Sequence, residues 1–379
     1  MARGRAAWKR KFDLKPALGR FFAGLERDHP GVTRALRYYS LAYDVPASEC
    51  FDHFTRPLLL DKGEYAEAWQ ALQIDNVDGY YEDNDFDGVR FDAGLLRDHF
   101  VVGHVLRPID RATGKMATMD GLPVPWGLTF PSLSSRPERH IAGTAVAIPR
   151  MTNFYHLVVD HLLPVVAAVV RNPERFSDGV TFVVNGDYQA IDLFAGILSD
   201  FGVATTVLKV APADTVSADA FLWARSWGNS TEHGYVFAEE LKTLGPLIDK
   251  RIADIRTPAK IVVPRSKTRI RNLVNQDDML ADLKARGFEP FELKWSNLLG
   301  QVAAFRRAEA VVSVHGAALT NLAWGTGGRV VEIFPDNARK TPFLHIASQN
   351  SWRYAYVFGG REQDQQNFSV DIDALAVAL

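Results

Sequence analysis

From about residue 141 onward, short β-branched and apolar runs alternate with stretches whose apolar positions recur every three or four residues. The runs 141–148, 180–184, 205–210 and 220–223 predict strands, with helices near 153–170, 188–201 and 235–254 between and after them. A break at Thr257-Pro258 follows, and the alternation begins afresh. Strands are predicted at 261–263, 289–293, 310–314 and 330–334, with helices near 276–286, 297–308 and 317–324. Strands separated by helices predict a parallel α/β sheet. Two such series joined near 255 predict two Rossmann-like domains facing a cleft. The segments 352–358 and 371–379 are expected to close the second domain or to cross back to the first.

The remainder is less regular. Residues 1–75 read as helical and surface-like, 75–87 as an acidic loop containing Asp85-Phe86-Asp87, and 108–138, rich in Pro and Gly, as irregular. The expected division is an N-terminal helical or irregular extension over 1–95, one α/β domain over 96–255 and a second over 256–379.

Length and composition change this picture little. At 379 residues, with 47% hydrophobic and 23% charged content, the chain is of ordinary globular type with room for about two domains. A net charge of −2 gives no overall footprint for nucleic acid. Cys50 is the single cysteine, so there is neither an internal disulfide nor a zinc-type cysteine cluster. The longest apolar run, 162–170, contains Pro164 and is far short of the ~20 residues a membrane helix needs. Basic residues including Arg3, Arg5, Lys9, Arg10 and Lys11 interleave with Trp8 and Phe12. Residues 1–25 read either as a solvated basic tail or as a peripheral contact with an anionic membrane surface.

Candidate chemistry collects where the predicted strands end, which is where open α/β sheets bind ligands. The run 310–314 leads into His315-Gly316-Ala317-Ala318-Leu319-Thr320-Asn321, a strand, a glycine turn and the start of a helix. Unpaired N–H groups and the helix dipole make such a junction a phosphate site, or it is an ordinary corner of the sheet. After 141–148, Asn153, His156 and Asp160 share one helix face. They suit activation of a hydroxyl, or capping of the helix start. Arg265, Lys267, Arg269 and Arg271 follow the strand 261–263, where guanidinium groups could chelate a diphosphate. Glu332 sits inside an apolar strand and needs a partner, either ribose hydroxyls or an arginine such as Arg329. After Trp223, the stretch with Arg225, Trp227, Asn229 and His233 reads as a sugar-binding loop or a packed one. No Walker sequence, Gly-X-Ser-X-Gly elbow or His-Glu-X-X-His is present.

In combination, Asn153-X-X-His156-X-X-X-Asp160-X-Leu162-Leu163-Pro164, Pro264-Arg265 with Arg269 and Asn272, the 315–321 turn and Val331-Glu332-Ile333-Phe334 resemble the bacterial branch of glycosyltransferase family 61. The resemblance runs from about 140 to 360, with Ala318 where members often carry glycine. It implies a GT-B-like enzyme with two Rossmann-like domains. The implied reaction is an inverting, metal-independent transfer, without a cofactor, from a nucleotide sugar, most often a UDP-sugar, to a hydroxyl of a glycan or lipid-linked glycan. It implies Asp160 as general base, with His156 positioning it or taking its place. Donor binding would fall to Arg265, Arg269, Asn272, His315, Gly316, Ala317, Ala318, Asn321 and Glu332, and the acceptor side to Asn153, Trp227, Asn229 and His233. Capsule or lipopolysaccharide synthesis at the cytoplasmic side of the inner membrane is the expected setting. A nucleotide-sugar epimerase or hydrolase, and a catalytically silent glycan-binding protein, are the competing expectations.

Overall fold

Strand-forming residues assemble two sheets, and the longest strand does the most to organise the first. The computed structural model describes residues 42–44, 50–56, 64–73, 89–103, 106–112, 116–118, 138–186, 189–227, 234–265, 272–335, 340–360 and 367–379. The first sheet contains β1 (Ala42–Asp44), β2 (Cys50–Arg56), β3 (Val89–Leu96), β4 (His99–Val102), β5 (Ile109–Asp110), β6 (Met116–Thr118), β7 (Arg139–Ile148), β8 (Val180–Val184), β9 (Thr205–Lys209) and β10 (Thr215–Trp227). Its main order is β1-β6-β5-β4-β10-β7-β8-β9, with β3 pairing β10 and β2. The neighbours β10, β7, β8 and β9 are parallel, as the alternation predicted, but β3 and β4 run antiparallel to β10. At 13 residues β10 is much longer than the predicted run because it serves two partners along its length, β4 near its start and β3 towards its end. Its pairing with β7 shifts register between Ala218 and Ala220. Gly143 absorbs that shift at φ +88, a region that favours glycine, and its N–H donates to the Asp219 carboxylate at 2.7 Å.

The second sheet is parallel throughout, in the order β12-β11-β13-β14-β15. Its strands are β11 (Lys260–Val263), β12 (Glu289–Pro290), β13 (Ala310–Val314), β14 (Gly328–Phe334) and β15 (Trp352–Phe358). The helices are α1 (Glu64–Gln73), α2 (Leu163–Arg171), α3 (Gln189–Asp200), α4 (Ala238–Arg251), α5 (Gln276–Ala285), α6 (Leu298–Arg307), α7 (Pro342–Gln349) and α8 (Ile372–Ala378). None of the described helices is long and apolar enough to cross a membrane.

The N-terminal expectation requires correction. Within 1–95, β2 and β3 are integral strands of the first sheet, and α1 lies against the second, where the Tyr65 hydroxyl donates to the Trp352 carbonyl. Alternation of exposed and buried positions in 50–54 is weak, which hides the strand from a periodicity reading. The segment 108–138 likewise contains β5 and β6 rather than only irregular backbone. Residues 1–25 and the acidic loop 75–87 lie outside the described residues. The end of the chain stays with the second sheet: α8 caps it, and Ala378 accepts from Arg329 Nε at 3.0 Å.

Between the sheets lies one continuous apolar cluster. Leu163 to Val169 of α2 are all buried, as expected of a helix apolar on every face. The same cluster takes in α3 and α4 from the first half, and Phe305, Leu322 and Trp324 from the second. Phe194 and Trp324 meet at 5.4 Å across it. At its edge Arg306 grips Asp249 with two hydrogen bonds of 2.8 and 3.0 Å, joining α6 to α4.

Candidate active site

The chain leaves β7 at Ile148 and enters a helix whose first full turns are π rather than α, spanning His156–Leu162. Pro164 gives a reason. In an α-helix its ring would press on the carbonyl four residues back, that of Asp160, and it has no N–H to donate. A wider turn relieves this clash, and the Leu163 N–H reaches back five residues to the Val158 carbonyl. The Asn153 side chain accepts from the Tyr155 N–H at 2.9 Å, the capping role that competed with acceptor binding in the sequence reading.

On this turn His156 Nδ1 lies 2.7 Å from Asp160 Oδ2. Their side chains differ in exposure, 23% for His156 and 2% for Asp160. The imidazole is therefore the member of the pair that reaches the surface. Burial pushes the Asp160 carboxyl above its usual value, and the hydrogen bond and charge of His156 pull the other way without cancelling it.

In the second half, Arg265 follows β11 directly. Its N–H donates to the Gln276 side chain at 2.7 Å, and its guanidinium donates to the His315 carbonyl at 3.2 Å. Two segments fifty residues apart thus form one structure. Gly316 is extended, with φ 167, so its backbone is open to any residue. Its need is for space, because a Cβ there would stand 2.9 Å from the Arg265 guanidinium. The following turn, Ala317–Trp324, is a 3₁₀ helix rather than the α-helix the sequence suggested.

His315 is buried and held from behind. Its Nδ1 lies 2.5 Å from Glu332 Oε1, while the Tyr354 hydroxyl donates to Glu332 Oε2 at 2.5 Å. Burial and the Glu332 charge keep Tyr354 protonated by raising it well above the usual phenol value. Glu332 is completely buried with both oxygens engaged, so the expectation that it meets ribose is corrected. Arg329 is not its partner either.

Two further expectations shift. Asn321 is fully buried and gives its amide to Ala318 and, at 3.4 Å, to Gln301, tying the 3₁₀ turn to α6. Asn272 donates to Asn367 from both backbone and side chain, pinning the C-terminal segment. Arg225 belongs to β10 rather than to a loop, and its Nε lies 3.4 Å from the buried Asp92 carboxylate. Arg269, Asn229 and His233 lie outside the described residues, as does the side chain of Trp227.

A cavity of about 870 Å³ opens at the carboxyl ends of β11 and β13, lined by Arg265, Gln276, Glu292, Lys294, Ser313 and Ala318 among others. Sequence reading identified Arg265 and Ala318 but missed Gln276, Glu292, Lys294 and Ser313, which no local pattern marks. A chain of aromatic contacts relates the two halves. Tyr155 contacts the His156 ring at 5.4 Å and Phe343 of α7 at 5.8 Å, and Phe343 contacts His315 at 5.3 Å. Phe154 likewise meets Trp295 at 5.3 Å. The His156–Asp160 pair and the His315–Glu332 pair are thus linked through two rings, Tyr155 and Phe343. Among the described residues, no three His, Cys, Asp or Glu side chains group as a metal site requires.

No curated protein matches the chain. Residues 154–331, from two residues before the π-helix to the residue before Glu332, are similar to the Glycosyltransferase 61 family, whose sequence model they match.

Proposed function

We propose that the protein is a glycosyltransferase that moves a sugar from a nucleotide sugar, of the UDP type, to a hydroxyl of a glycan acceptor. The family match supports the reaction class. The observation that carries the reading is that the His156–Asp160 pair is linked through the Tyr155 and Phe343 rings to His315, whose carbonyl is held by the cavity-lining Arg265. The two-sheet architecture suits a GT-B-like enzyme, with the donor at the second sheet and the acceptor at the first.

In the proposed reaction the acceptor oxygen attacks the anomeric carbon while the carbon–oxygen bond to the diphosphate breaks. The hydroxyl proton passes to His156, which is exposed where Asp160 is not. Asp160 holds the imidazole through Nδ1, leaving Nε2 for the proton. This assigns the base role to His156 and the positioning role to Asp160, one of the two arrangements the resemblance allowed. The departing diphosphate gains charge, which Arg265 and His315 stabilise from fixed positions. With the Arg265 guanidinium offsetting that charge, a single displacement needs no metal and inverts the anomeric centre. The setting proposed is bacterial surface polysaccharide synthesis.

A thermal-melt panel with UDP, GDP, CDP, CMP and ADP, with and without EDTA, tests the donor half. A nucleotide present at 100 times its Kd adds about 2.7 kcal/mol and raises Tm by a few degrees. The expected result is a shift with UDP that EDTA leaves unchanged. A shift with another nucleotide would replace the UDP assignment, and no shift with any would overturn the reading.

A further inference from the structure

A second, smaller cavity of about 50 Å³ lies beside the first sheet, at the end of β7 and against the middle of β10. Its polar lining is Arg107, from the turn between β4 and β5, His161 of the π-helix and Trp223 of β10. Arg107 Nη1, His161 Nε2 and Trp223 Nε1 are all buried and all lack a hydrogen-bond partner. Three unmatched nitrogens around one space are unusual, because native proteins pair nearly all buried polar groups.

The charge balance is equally one-sided. Among the described residues no acidic side chain lines the cavity, and the remaining lining is apolar, as with Val146, Ile148 and Leu222. Burial lowers the pKa of Arg107, and no carboxylate of the described residues offsets it. Burial, together with the nearby charges of Arg107 and His156, holds His161 neutral with a pKa of about 3. The cavity therefore carries a half-buried guanidinium whose Nη1 is fully enclosed and which no described carboxylate compensates, and buried charges are ordinarily paired. Waters could fill the space, at ~10–15 Å³ each, but would not supply the missing negative charge.

We infer that this cavity binds the carboxylate of a sugar acid, and that the sugar is part of the acceptor. A carboxylate accepts about four hydrogen bonds. It would take them from the guanidinium, the indole N–H and the imidazole. His161 directly follows Asp160, so the cavity and the proposed proton-accepting pair share one helical element. Assignment to the acceptor rests on the glycosyltransferase reading, whereas the anion site stands on its own lining.

The test is titration of the full-length protein with methyl β-D-glucuronide and, separately, with its uncharged counterpart methyl β-D-glucoside, followed by ligand-observed NMR. The glucuronide should bind saturably and the glucoside should not. Arg107→Met should weaken glucuronide binding about tenfold or more, while leaving the nucleotide-induced melting shift intact. Removing a half-buried charge that no described carboxylate pairs should not unfold the protein. Should that variant nevertheless fail to melt cooperatively, Trp223→Phe keeps the ring, removes the N–H and should also weaken binding. Equal binding of both sugars, no glucuronide binding, or glucuronide binding undiminished in these variants would overturn the proposal. Glucuronide binding in a protein that recognises no nucleotide would retain the site and overturn its assignment to an acceptor.

Discussion

Asp160 and His161 are consecutive on one helical turn, both are buried, and burial moves their proton affinities in opposite directions. Asp160 holds its proton more tightly than a solvated carboxyl, and His161 loses its own far more readily than a solvated imidazole. For His161 the folded pKa of about 3 lies below the ordinary 6.5. Its contribution to stability is therefore complete above pH 6.5 and is lost as pH falls from there towards 3. Each pH unit in that window costs about 1.36 kcal/mol. Urea unfolding at pH 7.5 and pH 5 should show the native protein losing about 2 kcal/mol more than a His161→Gln variant. Equal losses would mean that His161 is solvated in the folded protein. At this scale the sequence was a partial guide. The spacing of His156 and Asp160 was legible because helical geometry is local. The burial of Asp160 relative to His156 was not, because it depends on the sheet beneath. Glu332 was recognised as needing a partner, but His315 and Tyr354 reach it from neighbouring strands and turns that no local pattern connects.

The elements of the second sheet were largely legible. Strand β13 falls on the predicted 310–314, because a buried parallel strand announces itself as an unbroken apolar run, whereas 352–358, expected only to close the domain or cross back, forms β15. The departures occur beside the site. The π-turn ahead of Pro164 and the 3₁₀ turn after Gly316 both replace predicted α-helix, and both present candidate residues. Gly316 gives the clearest test at this level. Since its φ is open to any residue, a Gly316→Ala substitution strains no backbone, but its Cβ must push the Arg265 guanidinium away. Nucleotide affinity should fall about tenfold, the value of a displaced charge-assisted hydrogen bond, with stability altered by less than about 1 kcal/mol. A variant that binds nucleotide normally would show that Arg265 does not act from the position it occupies here.

Considered whole, the molecule does not separate at residue 255 as cleanly as the alternation of elements suggested. The apolar cluster passes from α2 and α3 through to Trp324, and α1 lies against β15 although it precedes both sheets' central strands in sequence. Such non-local contacts leave no periodic trace, which is why the N-terminal segment read as an extension. Shared burial predicts shared unfolding. Calorimetry should give one cooperative transition, and Phe194→Ala, removing a ring from the boundary, should lower stability by about 3–5 kcal/mol and move that single transition. Two separable transitions would show that the halves fold independently.

The central claim is that the two halves divide one reaction, the second holding the donor and the first accepting the proton. Its most direct test compares Arg265→Ala with His156→Ala, measuring for each both nucleoside diphosphate affinity and the rate of sugar transfer. The account predicts that Arg265→Ala loses nucleotide affinity and transfer together. It predicts that His156→Ala binds nucleotide as the native protein does while transferring sugar about 10²- to 10⁴-fold more slowly. Transfer surviving in His156→Ala, or nucleotide binding surviving in Arg265→Ala, would contradict it.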